Sequence, residues 1–391
     1  MIAMNTPAEV TSIKGINCIS GIPQQLTISD GSVEQVGSIA KSDEELPLMG
    51  TGLIDLQVNG IDGVDFNNTS LHHKDVLKAT QYLLSKGVTT FFPTLITNAD
   101  DNVLKLLETL RLACEKYPLV EACVGGIHLE GPFISEVEGA RGAHNLQYIK
   151  APDWQWVQKC QEVSGGRVKL LTLSPEWEGT NELIRQCRQQ GILVAIGHSF
   201  ATPEQIQSAV KAGATLSTHL GNAIPLMLPR HPNLLWEQLA QDDLYASIIA
   251  DGFHLPNAFL KVAIRAKGDK TILVSDATCF SGMTPGTYQT HIGDEVILEK
   301  GGRLAMKKSP DLLAGATKCL VEDVQYLLTQ DLASLKTTWQ MASTNPAAFL
   351  GKTEHRLLPG QPADIVLFHL TERKKIHITQ VIKKGHTVFE L

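Results

Sequence analysis

Short apolar runs alternate with helical patterns through the middle of this chain. Eight such runs, rich in Val, Ile, Leu and Thr, are bounded by Gly, Pro or Ser, which is typical of buried parallel strands. They are LIDLQV at 53–58, TTFFPTL at 89–95, and the runs that lead to Glu130, Glu176, His198, His219, His254 and Asp276. The intervening segments repeat their apolar residues every three or four positions, as helices do. Eight strand–helix repeats predict a closed (β/α)8, TIM-like barrel rather than an open sheet.

The two ends of the chain have a different pattern. Residues 1–50 contain short alternating segments with a hairpin turn at Asp30-Gly31, and residues 355–391 are also strand-like. Neither end has enough apolar surface to fold alone, so we predict one small β-sandwich domain formed by both termini. The barrel then occupies 51–354. Gly-rich turns and alternating residues at 280–313 predict a β insertion, a hairpin near the barrel rim.

Composition narrows the function without identifying it. The chain has 391 residues, of which 43% are hydrophobic and 19% charged, enough for a large core. A net charge of -7 argues against a general nucleic-acid surface. No run approaches the ~18 apolar residues of a membrane span, and the N-terminus lacks the pattern of a signal peptide. Seven scattered cysteines without a CxxC pair indicate reduced thiols and a cytoplasmic location.

Polar residues at the carboxyl ends of parallel strands converge on one rim, which makes their chemistry informative. His198 and His219 lie one β/α unit apart, so neighbouring strands place both imidazoles on the same side. Glu130 adds an oxygen from an earlier strand. One carboxylate and two imidazoles suit a single divalent ion, Zn²⁺ by expectation and Fe²⁺ as the alternative, with an open position for water. For any one histidine alone, the alternative is a hydrogen-bonded residue of the rim.

Three further strand-end residues are candidates for catalysis. Asp276 is placed to take a proton from water and return it to a leaving group; its alternative role is to cap the following turn. His254 is placed to hold a substrate or polarise its carbonyl, or else it is a hydrogen-bonded core imidazole. Glu176 is the weaker candidate, because it also fits the simple start of a loop.

An ordered set of motifs spans nearly the whole chain: IDLQVNG at 54–60, HLEGPFIS at 128–135, GAHN at 142–145, GHSFAT at 197–202, THLGNAIP at 218–225, IADGFH at 249–254, VSDAT at 274–278, LLAGAT at 312–317, STNPAAFLG at 343–351 and LPGQPADIVLF at 358–368. In this order they resemble the N-acetylglucosamine-6-phosphate deacetylases of the amidohydrolase superfamily. Each motif alone is weak, but the ordered set is specific.

The resemblance implies a reaction and roles by position. The implied activity is metal-dependent removal of the acetyl group from N-acetylglucosamine 6-phosphate, which yields glucosamine 6-phosphate and acetate. It implies Glu130, His198 and His219 as metal ligands, Asp276 as catalytic acid and base, and His254 as a catalytic residue that contacts the substrate. It also implies a homodimer acting on a small amino sugar.

Several positions match substrate-contacting residues of these enzymes: Ala143, His144, Asn222, Ala223, Arg230, Leu313, Ala314 and Gly315. Arg230 aligns with the arginine that binds phosphate, which suits a guanidinium, and it either serves its own site or reaches a neighbour's. Arg230 and His231 equally fit a surface turn before the next helix.

The chain departs from related sequences at two places. Many amidohydrolases carry His-x-His after the first strand and bind a second metal there, whereas this chain has Gln57 and Asn59. Amides are poor ligands for a transition metal, so we expect one ion, with Gln57 orienting water or His198, or making a simple rim hydrogen bond. Gly221 stands where these enzymes usually have an aromatic residue, which predicts an enlarged or reshaped sugar pocket.

Two other functions compete with deacetylation of the phosphorylated sugar. The same site fits hydrolysis of a different N-acyl sugar or a cyclic amide, which a comparison of phosphorylated and unphosphorylated N-acetyl sugars would distinguish. A non-catalytic, sugar-binding regulator is the other alternative. It is less favoured, because all three candidate ligands and Asp276 are present.

Overall fold

Eight parallel strands form the central sheet of the protein. The computed structural model describes residues 11–39, 46–290, 293–352 and 355–391. The barrel strands follow one another around the sheet in chain order: Leu53–Val58, Val88–Ile96, Ile127–Glu130, Val168–Leu173, Leu193–Ile196, Leu216–Ser217, Tyr245–Ile248 and Thr271–Leu273. A parallel bridge between Val58 and Ala277 joins the first strand to the segment after the eighth. The predicted (β/α)8 barrel is confirmed.

Helices connect the barrel strands and follow the last of them. Their bounds are His73–Ser85, Asp100–Lys116, Pro118–Cys123, Trp154–Val163, Thr180–Gln189, Pro203–Ala212, Leu234–Ala240, Asn257–Lys267, Leu320–Thr329, Leu335–Ala342 and Thr344–Phe349, with 3-10 turns at Leu146–Tyr148 and Gly268–Lys270. Pro203–Ala212 shows how they begin and end. The Thr202 hydroxyl accepts from the Gln205 backbone at 3.3 Å, and Gly213 with φ 121° terminates the helix. In the described parts of the chain, no helix is both long and apolar enough to cross a membrane.

Alternation along the strands separates two apolar cores. Ile54 and Leu56 belong to the cluster inside the barrel, together with residues such as Phe92 and Leu170. Their strand neighbour Leu53 belongs instead to the larger cluster beneath the helices. Because apolar side chains fill the barrel interior, polar groups gather where the strands end.

The strands of both termini form one seven-stranded sheet. It contains Ser12–Asn17, Pro23–Ser29, Ser32–Ser38, Leu48–Thr51, Ile365–Leu370, Ile376–Lys383 and His386–Glu390. The Val33 amide donates to Gln361 at 2.8 Å, so the edge strand also meets the chain before Ile365, and the sheet folds back over its own core. This is the small β-sandwich predicted from the termini, with Asp30 and Gly31 in the hairpin turn between Pro23–Ser29 and Ser32–Ser38.

Not all of the predicted domain ranges can be described. Residues 1–10, 40–45 and 353–354 of those ranges lie outside the described residues, as do 291–292 of the insertion. The boundaries 1–50, 51–354 and 355–391 therefore stay predictions.

Two buried contacts attach the terminal sheet to the barrel. The ring of Trp339 stacks on Phe368 with centroids 4.5 Å apart, and its Nε1 donates to the Thr51 carbonyl at 3.0 Å. A side chain at Gly50 would meet this indole at 2.4 Å, so glycine is required there. Lys383 pairs with Asp364 at 2.7 Å in the same buried region and lies 3.5 Å from the hydroxyl of Thr90 on the second barrel strand.

The insertion after the eighth strand is larger than the predicted hairpin. It is an antiparallel sheet of four strands, Gly286–Gln289, Glu295–Leu298, Leu304–Met306 and Ser309–Leu313. Phe280, Val296, Leu298 and Leu304 give this sheet a separate apolar core. Its last strand leads back to the barrel rim at Leu313.

Candidate active site

A cavity of about 710 Å³ lies where the barrel strands end. Most residues predicted from the sequence line it: Asn59, Glu130, Ala143, His144, His198, His219, Asn222, Ala223, His254, Asp276, Leu313, Ala314 and Gly315. Gln57 lies buried behind Glu130, and Arg230 is exposed outside the cavity of its own chain. The structure thus brings the candidate metal ligands and catalytic residues together, while their roles stay predictions.

Three donor atoms meet at the centre of this cavity. Oε1 of Glu130 lies 3.2 Å from Nε2 of His198 and 3.0 Å from Nε2 of His219. The two imidazole nitrogens are 3.1 Å apart. Ligands bonded to one tetrahedral zinc ion are separated by about 3.3 Å, given bonds of 2.0–2.1 Å. The three side chains are therefore spaced like ligands of a single ion, and all three are buried.

The ring of His198 is oriented by backbone carbonyls. Its Nδ1 lies 3.1 Å from the carbonyl oxygen of Ala140 and 3.3 Å from that of Arg141. A carbonyl only accepts hydrogen bonds, so Nδ1 carries a proton, and Nε2 is the ring nitrogen that faces Glu130. A second partner of this kind is the usual support of a metal-binding histidine.

His144 is a competing ligand candidate. The donor atoms of Glu130, His144 and His198 also all lie within 4.8 Å of one another. Nδ1 of His144 is also engaged by the hydroxyl of Thr97 at 2.8 Å. Burial, with the electrostatic influence of the nearby His198 as a smaller cause, lowers the pKa of His144 to about 3. The direct contacts of His219 with Glu130 and His198, and the engagement of His144 by Thr97, favour His219 as the third ligand and a neutral His144 as part of the substrate wall.

Glu130 has the charge state that a metal ligand needs. Burial acts to raise the pKa of its carboxyl, but hydrogen bonds with His198 and His219 outweigh burial and hold the pKa well below its usual range. An ionised carboxylate and neutral imidazoles are the forms in which these side chains bind metal. The donor set therefore fits a divalent ion.

The side-chain amides of Gln57 and Asn59 each donate a hydrogen bond to a carboxylate of the site. The Gln57 amide donates to Oε1 of Glu130 at 2.7 Å, and the Asn59 amide donates to Oδ1 of Asp276 at 2.7 Å. Gln57 was expected to orient water or His198, or to make a simple hydrogen bond at the rim. The observed contact is a hydrogen bond at the rim, to the carboxylate of Glu130, because the third strand lies close enough to the first for a direct contact.

Asp276 is a partly buried carboxyl group that lines the same cavity as these ligands. Burial, and then the negative charge of Glu130, raise the pKa of Asp276 to about 6. A carboxyl group with a pKa near neutrality exchanges protons more readily than an ordinary aspartate at cellular pH.

Asp251 was not singled out from the sequence, yet it orients His254. Its Oδ2 accepts from Nδ1 of His254 at 2.7 Å, and its Oδ1 accepts from the backbone amides of Phe253 and His254 at 2.8 and 2.9 Å. Burial acts to raise the pKa of Asp251, but its contacts with His254 keep it below the usual value. The only sequence signal was an aspartate three residues before the histidine.

The backbone is strained at two candidate metal ligands and at the candidate catalytic aspartate. His198, His219 and Asp276 have φ values of 49°, 31° and 48°, in the left-handed region that costs roughly 1–2 kcal/mol for residues other than glycine. Such strain persists only where the surrounding structure enforces it, and it is concentrated at functional sites.

Gly221 does not enlarge the cavity in the way expected. A Cβ atom at this position would meet the ring of Phe259 at 2.8 Å and Leu255 at 3.0 Å. The space beside Gly221 is therefore already filled by the helix Asn257–Lys267. Gly221 lines the cavity with its backbone, and its effect is to let Phe259 approach.

Arg230 lies on an exposed segment beside the cavity mouth. Leu226 borders the cavity and is 95% exposed, and Met227 is 83% exposed. Arg230 and His231 are exposed as well. Within its own chain, Arg230 does not contact the cavity that holds the other predicted residues.

Comparison with known proteins agrees with this geometry. Residues 51–388 match the amidohydrolase family. The chain is 32% identical over 321 residues to an N-acetylglucosamine-6-phosphate deacetylase of Bacillus subtilis, covering 81% of this chain and 79% of that protein. It is 30% identical over 384 residues to one of Lysinibacillus sphaericus, covering 94% of each.

A solved structure extends the likeness to the whole fold. The N-acetyl-D-glucosamine-6-phosphate deacetylase of Mycobacterium smegmatis superimposes with a TM-score of 0.84 at 26% identity, covering 96% of this chain and 98% of that one. The chain therefore belongs to the amidohydrolase family, hydrolases of carbon–nitrogen bonds, and within it to the N-acetylglucosamine-6-phosphate deacetylases.

Proposed function

We propose that the protein hydrolyses the acetamido bond of N-acetylglucosamine 6-phosphate to acetate and glucosamine 6-phosphate, using one divalent ion. The observation that carries the proposal is the cluster of Glu130, His198 and His219, whose donor atoms lie 3.0–3.2 Å apart in the cavity that also contains Asp276. The identity of the substrate is inferred from the relatives, which are named N-acetylglucosamine-6-phosphate deacetylases.

Glu130, His198 and His219 hold the ion, and Zn²⁺ is the proposed metal, with Fe²⁺ compatible with the same donors. A bound divalent ion supplies Lewis-acid activation of water and of the substrate carbonyl. Gln57 and Asn59 donate hydrogen bonds to carboxylates, so they do not build a second site.

Asp276 moves the proton in this reaction. In its ionised form it removes a proton from the attacking water, while the amide of Asn59 fixes its position. The protonated carboxyl group then returns the proton to the departing nitrogen, so the amine leaves as a neutral group. A pKa near 6 suits both halves of this exchange.

His254 and His144 hold the substrate from two sides of the cavity. Asp251 accepts from Nδ1 of His254, which leaves Nε2 as the atom available to the acetamido carbonyl. The backbone amide of Thr97 donates to Nδ1 of His144 at 3.4 Å, so Nε2 of this neutral ring carries the proton available to the substrate. Asn222, Ala223 and the segment Leu313–Gly315 complete the wall around the sugar.

The proposed assembly is a homodimer, in which each subunit helps to bind the phosphate group of the substrate held by the other. Exposed Leu226 and Met227 form an apolar projection at the cavity mouth, which a second copy of this chain would cover. Arg230 lies on the same segment, outside its own cavity, and is proposed to bind the phosphate group in the neighbouring subunit's cavity through paired hydrogen bonds.

The proposed location is the cytoplasm. All seven cysteines are free, and six of them are buried. Reduced thiols in this number fit a reducing compartment.

A second candidate function is deacetylation of an unphosphorylated N-acyl sugar. The position of Arg230 outside its own cavity favours it, since a monomer would lack this phosphate contact. Acetate release should be measured from N-acetylglucosamine with and without the 6-phosphate, for the unaltered protein and for Arg230→Ala. A strong preference for the phosphorylated sugar that Arg230→Ala abolishes supports the proposal; equal turnover of both sugars supports the second candidate.

A further inference from the structure

The side-chain carboxylate of Glu176 accepts hydrogen bonds from three loops, one of which is its own. The hydroxyl of Ser135 donates to Oε1 at 2.7 Å. Oε2 accepts from the hydroxyl of Ser174 at 2.8 Å and from the backbone amide of Phe200 at 2.7 Å. Distances this short are typical of hydrogen bonds to a charged acceptor. The carboxylate thus joins the loops that follow the third, fourth and fifth barrel strands.

These partners surround His198 on its backbone side. The amide of Ser135 donates to the carbonyl of His198 at 2.9 Å. The hydroxyl of Ser174 is hydrogen-bonded at 2.9 Å to that of Ser199, the residue that follows His198. Phe200, bound directly by Glu176, follows one position later. Three consecutive residues, 198–200, are therefore held by Glu176 or by its immediate partners.

His198 needs such restraint because its backbone is in the left-handed region, with φ 49°. A residue with a Cβ atom lacks the freedom that glycine has in this region. If the loop relaxed, Nε2 of His198 would move away from Glu130, which lies 3.2 Å away.

Ser135 connects Glu176 to the opposite side of the imidazole as well. It begins the loop that runs to Ala140, whose carbonyl accepts from Nδ1 of His198 at 3.1 Å. The same loop continues to Ala143 and His144, which line the cavity. Glu176 therefore restrains both the backbone of His198 and the loop that orients its ring, although it does not itself line the cavity.

We infer that Glu176 is a positioning residue for the metal ligand His198, rather than the start of a surface loop. The inference rests on the proposed function, since it assumes that His198 binds an ion. Partners of this kind typically contribute 10–100-fold to metal affinity. We expect Glu176→Ala to weaken metal binding by a factor of about 10–100.

The test compares full-length variants after removal of bound metal. The dissociation constant for Zn²⁺ is measured by competition with a chromophoric chelator, and the visible spectrum of the Co²⁺-loaded protein reports ligand geometry. The matched control is Glu178→Ala, which removes an exposed carboxylate two residues away. Glu176→Gln should restore part of the affinity, because its amide oxygen still accepts from Phe200. We expect an altered Co²⁺ spectrum in Glu176→Ala and an unchanged one in Glu178→Ala.

The outcomes separate this inference from the proposed function. If the unaltered protein binds no ion, the metal site itself is wrong. If the unaltered protein binds one ion and a folded Glu176→Ala binds it within twofold, with the same Co²⁺ spectrum, Glu176 has only a structural role. Circular dichroism establishes folding. Should Glu176→Ala not fold, Glu176→Gln decides by the same criteria: unchanged affinity and spectrum overturn the inference, and weaker binding with an altered spectrum supports it.

Discussion

The side-chain amide of Gln57 donates a 2.7 Å hydrogen bond to the oxygen of Glu130 that faces both His198 and His219. An amide in this place secures the ligand carboxylate but adds no metal-binding nitrogen of its own. We therefore predict one tightly bound divalent ion per chain. Elemental analysis of the purified protein after dialysis should give a ratio near one, and a ratio near two would show that Gln57 and Asn59 do not prevent a second site.

Asp276→Asn removes the proposed proton carrier while preserving the shape of the side chain. We expect turnover to fall at least ~10²-fold, because an amide cannot accept and return the proton. Metal content should not change, since Asp276 is not one of the three ligands. Steady-state rates and metal analysis of the same sample test both statements. Turnover close to that of the unaltered protein would remove Asp276 from the mechanism.

The pH dependence of turnover has a predictable sign. Asp276 must be ionised to act as a base, so the rate should fall as the pH drops through its pKa. Burial and the charge of Glu130 raise that pKa to about 6, and a bound cation nearby would lower it, so the acidic limb belongs at or below about pH 6. Profiles of kcat/KM against pH measure it. A rate that increases towards acidic pH would contradict the assignment.

Asp251 and His254 should behave as one unit. Asp251→Asn removes the charged acceptor that orients the imidazole, and His254→Ala removes the ring itself. We expect each change to lower kcat/KM, and the double variant to be little worse than His254→Ala, since the aspartate acts through the histidine. If the two losses multiply, Asp251 has a separate role.

The buried pair of Lys383 and Asp364 stabilises the junction of the terminal sheet and the barrel. Asp364→Asn leaves a buried lysine without its charged partner and should cost about 3–5 kcal/mol, seen as an earlier midpoint of unfolding by urea. The double variant Asp364→Asn with Lys383→Met removes both charges and should recover part of the loss. A single variant as stable as the parent would show that the pair contributes little.

This pair also predicts how stability depends on pH. Burial acts to raise the pKa of Asp364, but Lys383 outweighs it and lowers the pKa below its usual value. The stabilisation is therefore fully present above the unfolded-state pKa of about 3.9 and is lost as the pH falls through the lower folded-state value. Asp364→Asn should lose less stability than the parent over that acidic range.

Periodicity predicted the barrel well because buried parallel strands have a distinct composition. The predicted strand LIDLQV at 53–58 has the same first and last residues as the first barrel strand. The strand that leads to Glu130 ends at Glu130 itself, and the one that leads to His198 ends at Ile196. Polar residues at strand ends then converge by topology alone. This is why candidates separated by dozens of residues in the chain meet in one cavity.

The sequence pattern did not predict which side chains contact each other. Nothing in the pattern places Phe259 against Gly221, because that contact depends on how the helix Asn257–Lys267 packs on the rim. The contact of Gln57 with Glu130 likewise depends on the spacing of strands across the barrel. Glu176 looked like a loop residue, since two of its three hydrogen-bond partners, Ser135 and Phe200, come from segments far away in the chain.

The most direct test of the account is acetate release from N-acetylglucosamine 6-phosphate before and after thorough chelation. We predict that activity disappears with the metal, that about one equivalent of Zn²⁺ per chain restores it, and that His198→Ala neither retains the ion nor recovers activity. Undiminished acetate release from the fully chelated protein would contradict the central claim that Glu130, His198 and His219 hold a catalytic ion.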